Sequence, residues 1–349
     1  MKFKVTSRQF LPLKTILPII ILVISTLIAC SSSSDSNSKN IIPESSGRSV
    51  YAVGKLNNQA IFWKNAIPTA LSGDDLRTGY AIFVSGNDVY IVGRELNSFG
   101  RFQAKIWKNN IGSFLSANGN NDSTATSIYV SGPNVYVVGK EDGVAKIWIN
   151  NVGIVLGNTI LQSGANSVFV SGSDYYVAGY EQRDVNWLYP MDAVLWKNGV
   201  KTILQSNGEN SNASAVCVLG NDVYVCGDCD NQVNTKAVMW KNNIKYNLTD
   251  ESYYNARATS MFISGSDVYI SGFAGDADNY TAKFWKNSIA NDLTDGSLFA
   301  SANGIFVAGS DVYVSGYYDD FKPVIWKNSI KFNLTSVNET GSINSIFVK

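Results

Sequence analysis

The 349-residue sequence predicts an all-β fold made of seven copies of one four-stranded unit. Three observations support this prediction. Apolar runs rich in Val, Ile, Phe, Tyr and Trp are bounded by Gly, Asn, Asp or Ser, which is typical of strands joined by turns. No stretch shows a sustained helical period. A tryptophan recurs every 41 to 48 residues, at Trp63, Trp107, Trp148, Trp196, Trp240, Trp285 and Trp326.

Each unit carries four markers in a fixed order, and each marker predicts one strand, labelled a to d. Strand a is a Ser-Ile-Phe-Val-like run, with Phe83, Tyr129, Phe169, Cys217, Phe262, Phe306 and Phe347 at its third position. Strand b contains a Val-Tyr or Tyr-Tyr pair. The second residue of the pair is Tyr51, Tyr90, Tyr136, Tyr176, Tyr224, Tyr269 or Tyr313. Strand c holds the tryptophan, and strand d leads to a leucine. Four-stranded units of about 44 residues are typical of β-propeller blades.

The order of the two chain ends predicts how the ring closes. The repeats open with strand b at Val50 and Tyr51, and they finish with strand a at Ser345–Val348. We therefore expect the C-terminal strand to complete the first blade of a seven-bladed β-propeller with four antiparallel strands per blade. Since blades stack face to face, we also expect both faces of each strand to be buried, and the tryptophans to fill the gap that widens outward.

Marker spacing predicts which face of the propeller binds a ligand. The a and b markers are always 7 residues apart and the c and d markers always 8, whereas b and c are separated by 12 to 20. In a propeller the bc loops and da connections share one face, here called the loop face, and the ab and cd turns share the other, the turn face. Variable loops on a fixed scaffold are typical of recognition sites. Turn geometry alone is an alternative reason for the constant spacing of the turns.

The N-terminus has the features of an export signal. Lys2, Lys4, Arg8 and Lys14 precede a 15-residue apolar run at 15–29, which is shorter than the roughly 20 residues of a membrane-spanning helix and fits a signal-peptide core. We predict a signal peptide at 1–29, a flexible Ser/Asn-rich tether at 30–48 and the propeller at 49–349. Removing the four cations leaves 24 basic against 28 acidic residues, a net charge of −4.

Leu27-Ile28-Ala29-Cys30 resembles the bacterial lipobox. The resemblance implies cleavage before Cys30, acylation of its thiol (palmitate among the chains), and anchoring in a bacterial envelope membrane. Ser31 after the cysteine favours the outer membrane. An ordinary cleaved signal with an incidental cysteine is the alternative.

The Trp-Lys-Asn hairpins within 49–349 are similar to repeats of uncharacterised exported bacterial propeller proteins. Kelch blades have a similar strand order, but this chain lacks their Gly-Gly pair. It also lacks the WD40 signature and the sialidase Asp box. These resemblances imply a fold and little about function.

The longest bc loop belongs to blade 4 and contains Trp187, which is the one tryptophan outside the repeat. An exposed aromatic side chain can stack on a sugar or anchor a protein contact, although packing onto its own blade is an equal alternative. The candidate ligand-binding residues are Tyr180, Arg183, Asp184, Trp187 and Tyr189 in this loop, with Tyr254, Tyr280, Tyr317 and Tyr318 on blades 6 and 7.

Several classes of site are excluded or not favoured. The sequence has no His, which excludes His-dependent catalysis and His-ligated metals, and its neutral charge gives no nucleic-acid footprint. Aspartates of the ab turns, such as Asp88, are expected to be turn residues and not metal ligands. Asp276-Ala-Asp278 lacks the glycine and distal glutamate of an EF-hand loop. No metal or cofactor is expected.

The cysteines of blade 5 leave two alternatives open. Cys217 and Cys226 occupy core positions of adjacent strands, where export permits a disulfide, but buried free thiols fit equally well. Cys226 and Cys229 form a CxxC without a second pair, which does not favour zinc.

Together these features favour a monomeric, lipid-anchored binding protein that recognises a glycan or an envelope protein through its loop face. The runner-up is a scaffold subunit of an outer-membrane complex. A glycan-active enzyme using loop-face carboxylates such as Asp184 and Asp228 is the third hypothesis, since no carboxylate spacing singles out an acid and a base.

Overall fold

The computed structural model describes residues 47–73, 77–116, 119–185, 191–276, 279–319, 321–335 and 339–349. These residues form 28 strands, arranged as five four-stranded sheets and one eight-stranded sheet. The larger sheet is two blades joined by a single parallel bridge between Thr235 and Asn255. These strands and sheets form an all-β propeller with seven blades, as predicted. No helix among the described residues is long and apolar enough to cross a membrane.

The strands keep the predicted order a to d within each blade. The a strands are β4 (Arg77–Ser85), β8 (Ser123–Ser131), β12 (Ser163–Ser171), β16 (Asn210–Leu219), β20 (Asn255–Ser264), β24 (Ala300–Ala308) and β28 (Gly341–Val348). The b strands are β1 (Val50–Leu56), β5 (Asp88–Leu96), β9 (Asn134–Glu141), β13 (Asp174–Gln182), β17 (Asp222–Asp230), β21 (Asp267–Gly275) and β25 (Asp311–Tyr318).

The c strands are β2 (Gln59–Lys64), β6 (Phe102–Lys108), β10 (Val144–Ile149), β14 (Met191–Lys197), β18 (Thr235–Lys241), β22 (Tyr280–Lys286) and β26 (Lys322–Lys327). The d strands are β3 (Ile67–Ala70), β7 (Ile111–Phe114), β11 (Val152–Val155), β15 (Val200–Ile203), β19 (Ile244–Asn247), β23 (Ile289–Asp292) and β27 (Ile330–Asn333). Blade 1 consists of β28, β1, β2 and β3, and blades 2 to 7 follow in chain order.

The C-terminal strand closes the ring. β28 pairs antiparallel with β1 from Val50↔Val348 to Leu56↔Gly341. Apolar clusters then link each blade to the next, including one between blades 7 and 1 that contains Tyr313 and Ile343. All seven repeat tryptophans are at most 1% exposed, and each packs against the preceding blade, as Trp107 does against Val53.

The outermost strands differ from the prediction that every strand is buried on both faces. The b strands are buried, but all four residues of β3, β11 and β15 are exposed. Blades diverge with distance from the axis, so the tryptophans of the c strands are the last side chains that fill the gap. The d strands lie beyond them at the rim.

In the blades that have both turns, blades 2 to 7, the Trp-Lys-Asn motif fastens the two turns to one another. In blade 2, Asn109 accepts a hydrogen bond from the Val89 amide and donates one to Asp88, at 2.9 and 2.8 Å. Lys108 forms an ion pair with Asp88 at 2.7 Å, which holds the pKa of that carboxyl below its usual value. The turn aspartates thus bind the neighbouring turn. In blade 3 both charges are replaced together, by Asn134 and Ile149, and the asparagine contact remains.

A β-bulge and a glycine recur at one level of every blade. Each a strand has one unpaired residue, which shifts its register against the b strand. Opposite lies a glycine: Gly54, Gly93, Gly139, Gly179, Gly227, Gly272 or Gly316. A Cβ there would lie 1.8 to 2.0 Å from a carbonyl oxygen of the a strand. No larger residue fits while the bulge is present.

The bulge residues also join neighbouring blades around the axis. At five of the seven described junctions their side chains donate to a backbone carbonyl of the next a strand, over 2.5 to 2.9 Å. Asn344, for example, donates to Gly79. Nearer the turn face, aromatic a-strand markers contact one another in sequence from Phe262 to Phe169 around the axis, with ring centroids 4.4 to 5.1 Å apart. Cys217 interrupts this ring at blade 5.

Deleting 344–349 should abolish cooperative folding. The deletion removes most of β28, so blades 1 and 7 each lose an apolar contact and expose strand edges. Thermal unfolding of the protein, followed by near-ultraviolet circular dichroism, measures this. Deleting Lys349 alone is the control and should leave a cooperative transition. A cooperative transition in the longer deletion would show that the ring does not depend on β28.

Gly139→Ala should destabilise the fold by about 1–3 kcal/mol or more, as expected for overpacking at a site with no free space. Its Cβ would lie 1.8 Å from the carbonyl oxygen of Thr124. The matched control is Lys140→Ala, an exposed truncation at the next residue, which should stay within about 0.5 kcal/mol. Urea unfolding of both variants gives the comparison, and equal midpoints would contradict the steric argument.

Candidate functional site

A cavity of about 700 Å³ lies at the loop-face ends of the inner strands of blades 4 to 7. Most of its lining comes from three repeat positions: the bulge residue, the a-strand residue two before it, and the b-strand residue that follows the invariant glycine. Asn255 and Ala258 of β20 complete it. The lining residues are Asn166, Tyr180, Asn212, Ser214, Asp228, Asn255, Arg257, Ala258, Thr259, Phe273, Ser301, Asn303 and Tyr317. The site is therefore built on rigid strands of the scaffold, close to the axis.

The position after the invariant glycine differs most clearly between the two halves of the ring. Its residues in blades 1 to 7 are Lys55, Arg94, Lys140, Tyr180, Asp228, Phe273 and Tyr317. Blades 1 to 3 thus place cations there, whereas blades 4 to 7 place three aromatic rings and one carboxylate. The cavity is lined by the second group. Tyr180 lies over Gly164, where a Cβ would be 2.7 Å from its ring.

Asp228 is a buried carboxyl in the wall of the cavity. It is 8% exposed, and burial raises its pKa, while the positive charge of Arg257 and a hydrogen bond from Asn212 act in the opposite direction. Arg257 is itself exposed. A carboxylate that is costly to bury and faces a cavity is typical of a functional site, because stability alone does not select for it.

Amide side chains supply most of the remaining polar groups. Asn166 donates to the Asn212 side chain at 2.8 Å and to the Ala213 carbonyl at 2.9 Å. Asn255 donates to the Tyr280 hydroxyl at 3.0 Å, but its buried Oδ1 has no partner among the described residues. Since buried acceptors are nearly always satisfied, this oxygen is available to a ligand donor.

Aromatic side chains continue from the cavity across blades 6 and 7. The ring centroids of Phe273 and Tyr280 are 4.8 Å apart, those of Tyr280 and Phe299 4.7 Å, and those of Phe299 and Tyr317 5.8 Å. Phe321 contacts Tyr317 at 4.8 Å. It is 50% exposed and has a φ of 60°. An exposed bulky residue in the left-handed region is uncommon away from functional sites.

The structure places the tyrosines of the predicted site in different surroundings. Tyr180 and Tyr317 line the cavity, and Tyr280 supports it through Phe273 and Asn255. Tyr318 points to the other side of its strand, where it packs in the cluster between blades 6 and 7 under the ammonium of Lys331. Tyr254 is 58% exposed and lies outside the cavity lining.

Arg183 fastens the blade 4 loop to the next connection and does not line the cavity. It pairs with Asp192 at 2.6 Å and donates to the carbonyls of Gly208 and Glu209 at 3.0 and 2.6 Å. Asp184 is exposed beside it. Trp187 and Tyr189 lie outside the described residues, as does Cys30, so the predictions for these three remain sequence-based.

Three cysteines of blade 5 are free thiols in the structure, so the disulfide alternative for Cys217 and Cys226 is not formed in it. Cys217 lies opposite Tyr224 and Cys226 opposite Ala215, so the two are not directly paired across the strands. Cys226 and Cys229 lie on opposite faces of β17, in different clusters. Burial raises the pKa of Cys217 and of Cys229 to about 12, which makes both thiols unreactive.

Most of the strand residues in this site, notably Asn166, Asn212, Arg257 and Asn303, lie outside the loops in which the site was predicted. The sequence carries a signal for the b-strand wall of the site. When the seven units are aligned on the invariant glycine, the residue after it is a cation in blades 1 to 3 and an aromatic residue or an aspartate in blades 4 to 7. Comparing units position by position would have found the b-strand wall.

No known protein family matches the chain at the sequence level, and no curated protein does. Solved structures do match. The β-propeller domain of the Trilobed protease from Pyrococcus furiosus, described as having an open velcro topology, has a TM-score of 0.52 and 12% identity, over 83% of this chain and 95% of that one. An acylaminoacyl peptidase in complex with Z-Gly-Gly-Phe-chloromethyl ketone has a TM-score of 0.51 and 11% identity, over 84% of this chain. The match covers 52% of that peptidase chain, about half of its length. At these identities the similarity shows the β-propeller fold alone.

Proposed function

We propose that this protein is an exported, lipid-anchored binding protein of the bacterial envelope that holds a glycan in the cavity over blades 4 to 7. The observation that carries the proposal is the composition of that cavity. Three aromatic rings, several amide and hydroxyl groups, one buried carboxyl and one guanidinium converge on about 700 Å³. Sugars present hydroxyl groups at their edges and apolar faces on their rings, and this set of side chains matches both.

The size of the cavity suits an oligosaccharide more than a protein surface. Small-molecule pockets have volumes of about 300–1,000 Å³ and bury most of their ligand, whereas protein partners bind over broad surfaces. The aromatic side chains that continue from Phe273 to Phe321 extend the surface on which further sugar rings can stack. We infer a chain of a few sugar units, with one end in the cavity.

Binding without catalysis is the activity that the lining supports best. Most glycoside hydrolases use two carboxyl groups on either side of the scissile bond. Among the described residues that line the cavity, Asp228 is the one carboxyl group. Its role in the proposal is to accept hydrogen bonds from sugar hydroxyls. Asn212 and Arg257 stabilise the negative charge of the carboxylate.

Alanine substitution of Phe273 and Tyr317 should weaken glycan binding by about 1–3 kcal/mol each, as is usual for truncating an aromatic anchor. A glycan array probed with the mature protein identifies the ligand, and calorimetry then measures the variants. Tyr254→Ala is the matched control, since it removes an exposed aromatic ring of the same face that lies outside the cavity. Equal losses for Tyr254→Ala and Tyr317→Ala would place binding elsewhere on the loop face.

Asp228→Asn should stabilise the protein at pH 7 and weaken glycan binding at the same pH. Burial raises the folded-state pKa of Asp228 above the usual value of 3.8. The folded protein therefore binds this proton more tightly than the unfolded chain, so stability is highest below the unfolded pKa and falls as pH rises through the folded pKa. The amide removes this loss while keeping the shape of the side chain.

The melting temperature of Asp228→Asn should thus exceed that of the parent by a few degrees at pH 7, and the difference should vanish below about pH 4. Asp230→Asn is the control. Asp230 lies two residues further along β17, outside the cavity lining, and its substitution should show no such gain. Loss of stability together with unchanged binding in Asp228→Asn would make the carboxyl structural.

A further inference from the structure

The turn face carries a ring of exposed aliphatic side chains, one from each blade. They occupy the first position of the d strands and are between 57% and 77% exposed. This ring, here called the aliphatic rim, comprises Ile67, Ile111, Val152, Val200, Ile244, Ile289 and Ile330. Every member is Ile or Val, although a solvated position at a hairpin tip does not require an apolar residue.

Neighbouring positions of the same strands have not kept their residue type. The second position of the d strands is occupied by Pro68, Gly112, Gly153, Lys201, Lys245, Ala290 and Lys331. The units have therefore diverged around the aliphatic rim while the rim itself stayed aliphatic. Seven equal blades bring its members to one level of the propeller, so a flat partner can contact several of them at once.

Charge also distinguishes this face. Its ab and cd turns and the two described chain ends carry eight cations, namely Lys64, Lys108, Lys197, Lys241, Lys286, Lys327, Arg48 and Lys349, against the five aspartates Asp88, Asp174, Asp222, Asp267 and Asp311. The difference, eight less five, gives +3, whereas the mature chain as a whole has a net charge of −4. Six of the seven rim residues pair across their turn with one of these lysines.

The chain enters the propeller on this same face. Arg48 donates to the carbonyl of Ala308, at the end of a blade 7 a strand, over 2.9 Å. The amide of Ser49 donates to the carbonyl of Lys349 at 2.6 Å, and the Lys349 ammonium contacts Gly86 in an ab turn. The 16 residues between Cys30 and Gly47 thus connect the proposed lipid anchor to the turn face.

We propose that the turn face docks on an anionic phospholipid surface, with the aliphatic rim in the membrane interface and the glycan cavity directed away from it. Lysine beside exposed aliphatic side chains is the combination that interfacial segments use on anionic lipid. The inference rests on the proposed lipid anchor for bringing the propeller to the membrane. It does not rest on the identity of the ligand or on the cavity.

The test measures which face contacts lipid. Ile111→Cys on the aliphatic rim and Val233→Cys on the loop face replace aliphatic residues that are 77% and 69% exposed. Each is labelled with a polarity-sensitive fluorophore on the mature, lipidated protein. The native thiols Cys217, Cys226 and Cys229 are buried, so labelling is confined to the new cysteine, and the parent protein checks this.

The labelled proteins are reconstituted into vesicles of phosphatidylglycerol and phosphatidylethanolamine that contain a headgroup-region nitroxide lipid. We expect severalfold stronger quenching and a larger blue shift at position 111 than at position 233. Replacing phosphatidylglycerol with phosphatidylcholine should reduce the contrast. Equal quenching at both positions, or stronger quenching at 233, would overturn the proposed orientation.

Further measurements separate the other outcomes. Incorporation of labelled palmitate into the parent but not into Cys30→Ser tests the anchor by itself. If the anchor is absent, the labelled proteins are added to the same vesicles from solution, and no contrast between the two positions would refute the rim's contact with lipid.

Sedimentation of Ile111→Asp and Val233→Asp tests whether the rim binds a second copy of this protein. A rim-dependent dimer, with no quenching at 111, would make the rim a protein interface and contradict the proposal.

Discussion

The close approach of the a and b strands at the seven bulges is the constraint on which the rest of the structure depends. There the Cα of each b-strand glycine lies so near the a-strand carbonyl that a Cβ would be 1.8 to 2.0 Å from its oxygen. The bulge turns its own side chain toward the next blade, where most of these side chains donate to a backbone carbonyl. One local distortion therefore fixes both the strand spacing within a blade and the contact between blades. It also places most of the side chains that line the cavity wall, three in each of blades 5 to 7 and two in blade 4, where the third position is Gly164.

Away from the bulges, different blades form the same interaction with residues from different strands. In blade 2 a buried lysine on strand c, Lys105, pairs with Glu95 at 2.6 Å. Gly112 lies beside this lysine on the neighbouring strand d, and a Cβ at Gly112 would lie 2.5 Å from the lysine stem. Blade 4 reverses the arrangement: Val194 occupies strand c, and Lys201 on strand d pairs with Glu181. In blades 2 to 7 one of these two strands supplies a lysine near the tryptophan, whereas blade 1 has Ile61 and Pro68 at the two positions.

The sequence allowed the fold to be predicted because the determinants of the fold repeat seven times. The tryptophan spacing defined the blades, and the order of the end strands defined the closure through β28. The clamp formed by Asp88, Lys108 and Asn109 was not foreseen, since the turn aspartate was assigned to local turn chemistry. The error has a physical origin. Asp88 and Asn109 are 21 residues apart in the chain, and their turns become neighbours only when strands b and c are paired.

The candidate site was harder to predict for the opposite reason, because ligand-binding residues are those in which equivalent units differ. Tyr180 and Tyr317 were found as aromatic residues near loops, while Arg257 and Asn212 have no feature that distinguishes them in a single unit. Their position becomes informative only when the bulge places them beside the axis. Side-chain direction also decides the outcome for adjacent residues: Tyr317 faces the cavity, and Tyr318 faces the blade core.

A sevenfold scaffold offers seven equivalent positions after the invariant glycine, yet the cavity forms against four of them. In blades 1 to 3 this position holds the cations Lys55, Arg94 and Lys140, and the Arg94 guanidinium lies over the ring of Phe102, 4.2 Å from its centroid. Aromatic residues on one side and cations on the other accompany an off-axis cavity with Asp228 in its wall. Divergence at this position and at the two a-strand positions that line the cavity thus converts a symmetric ring into an asymmetric surface.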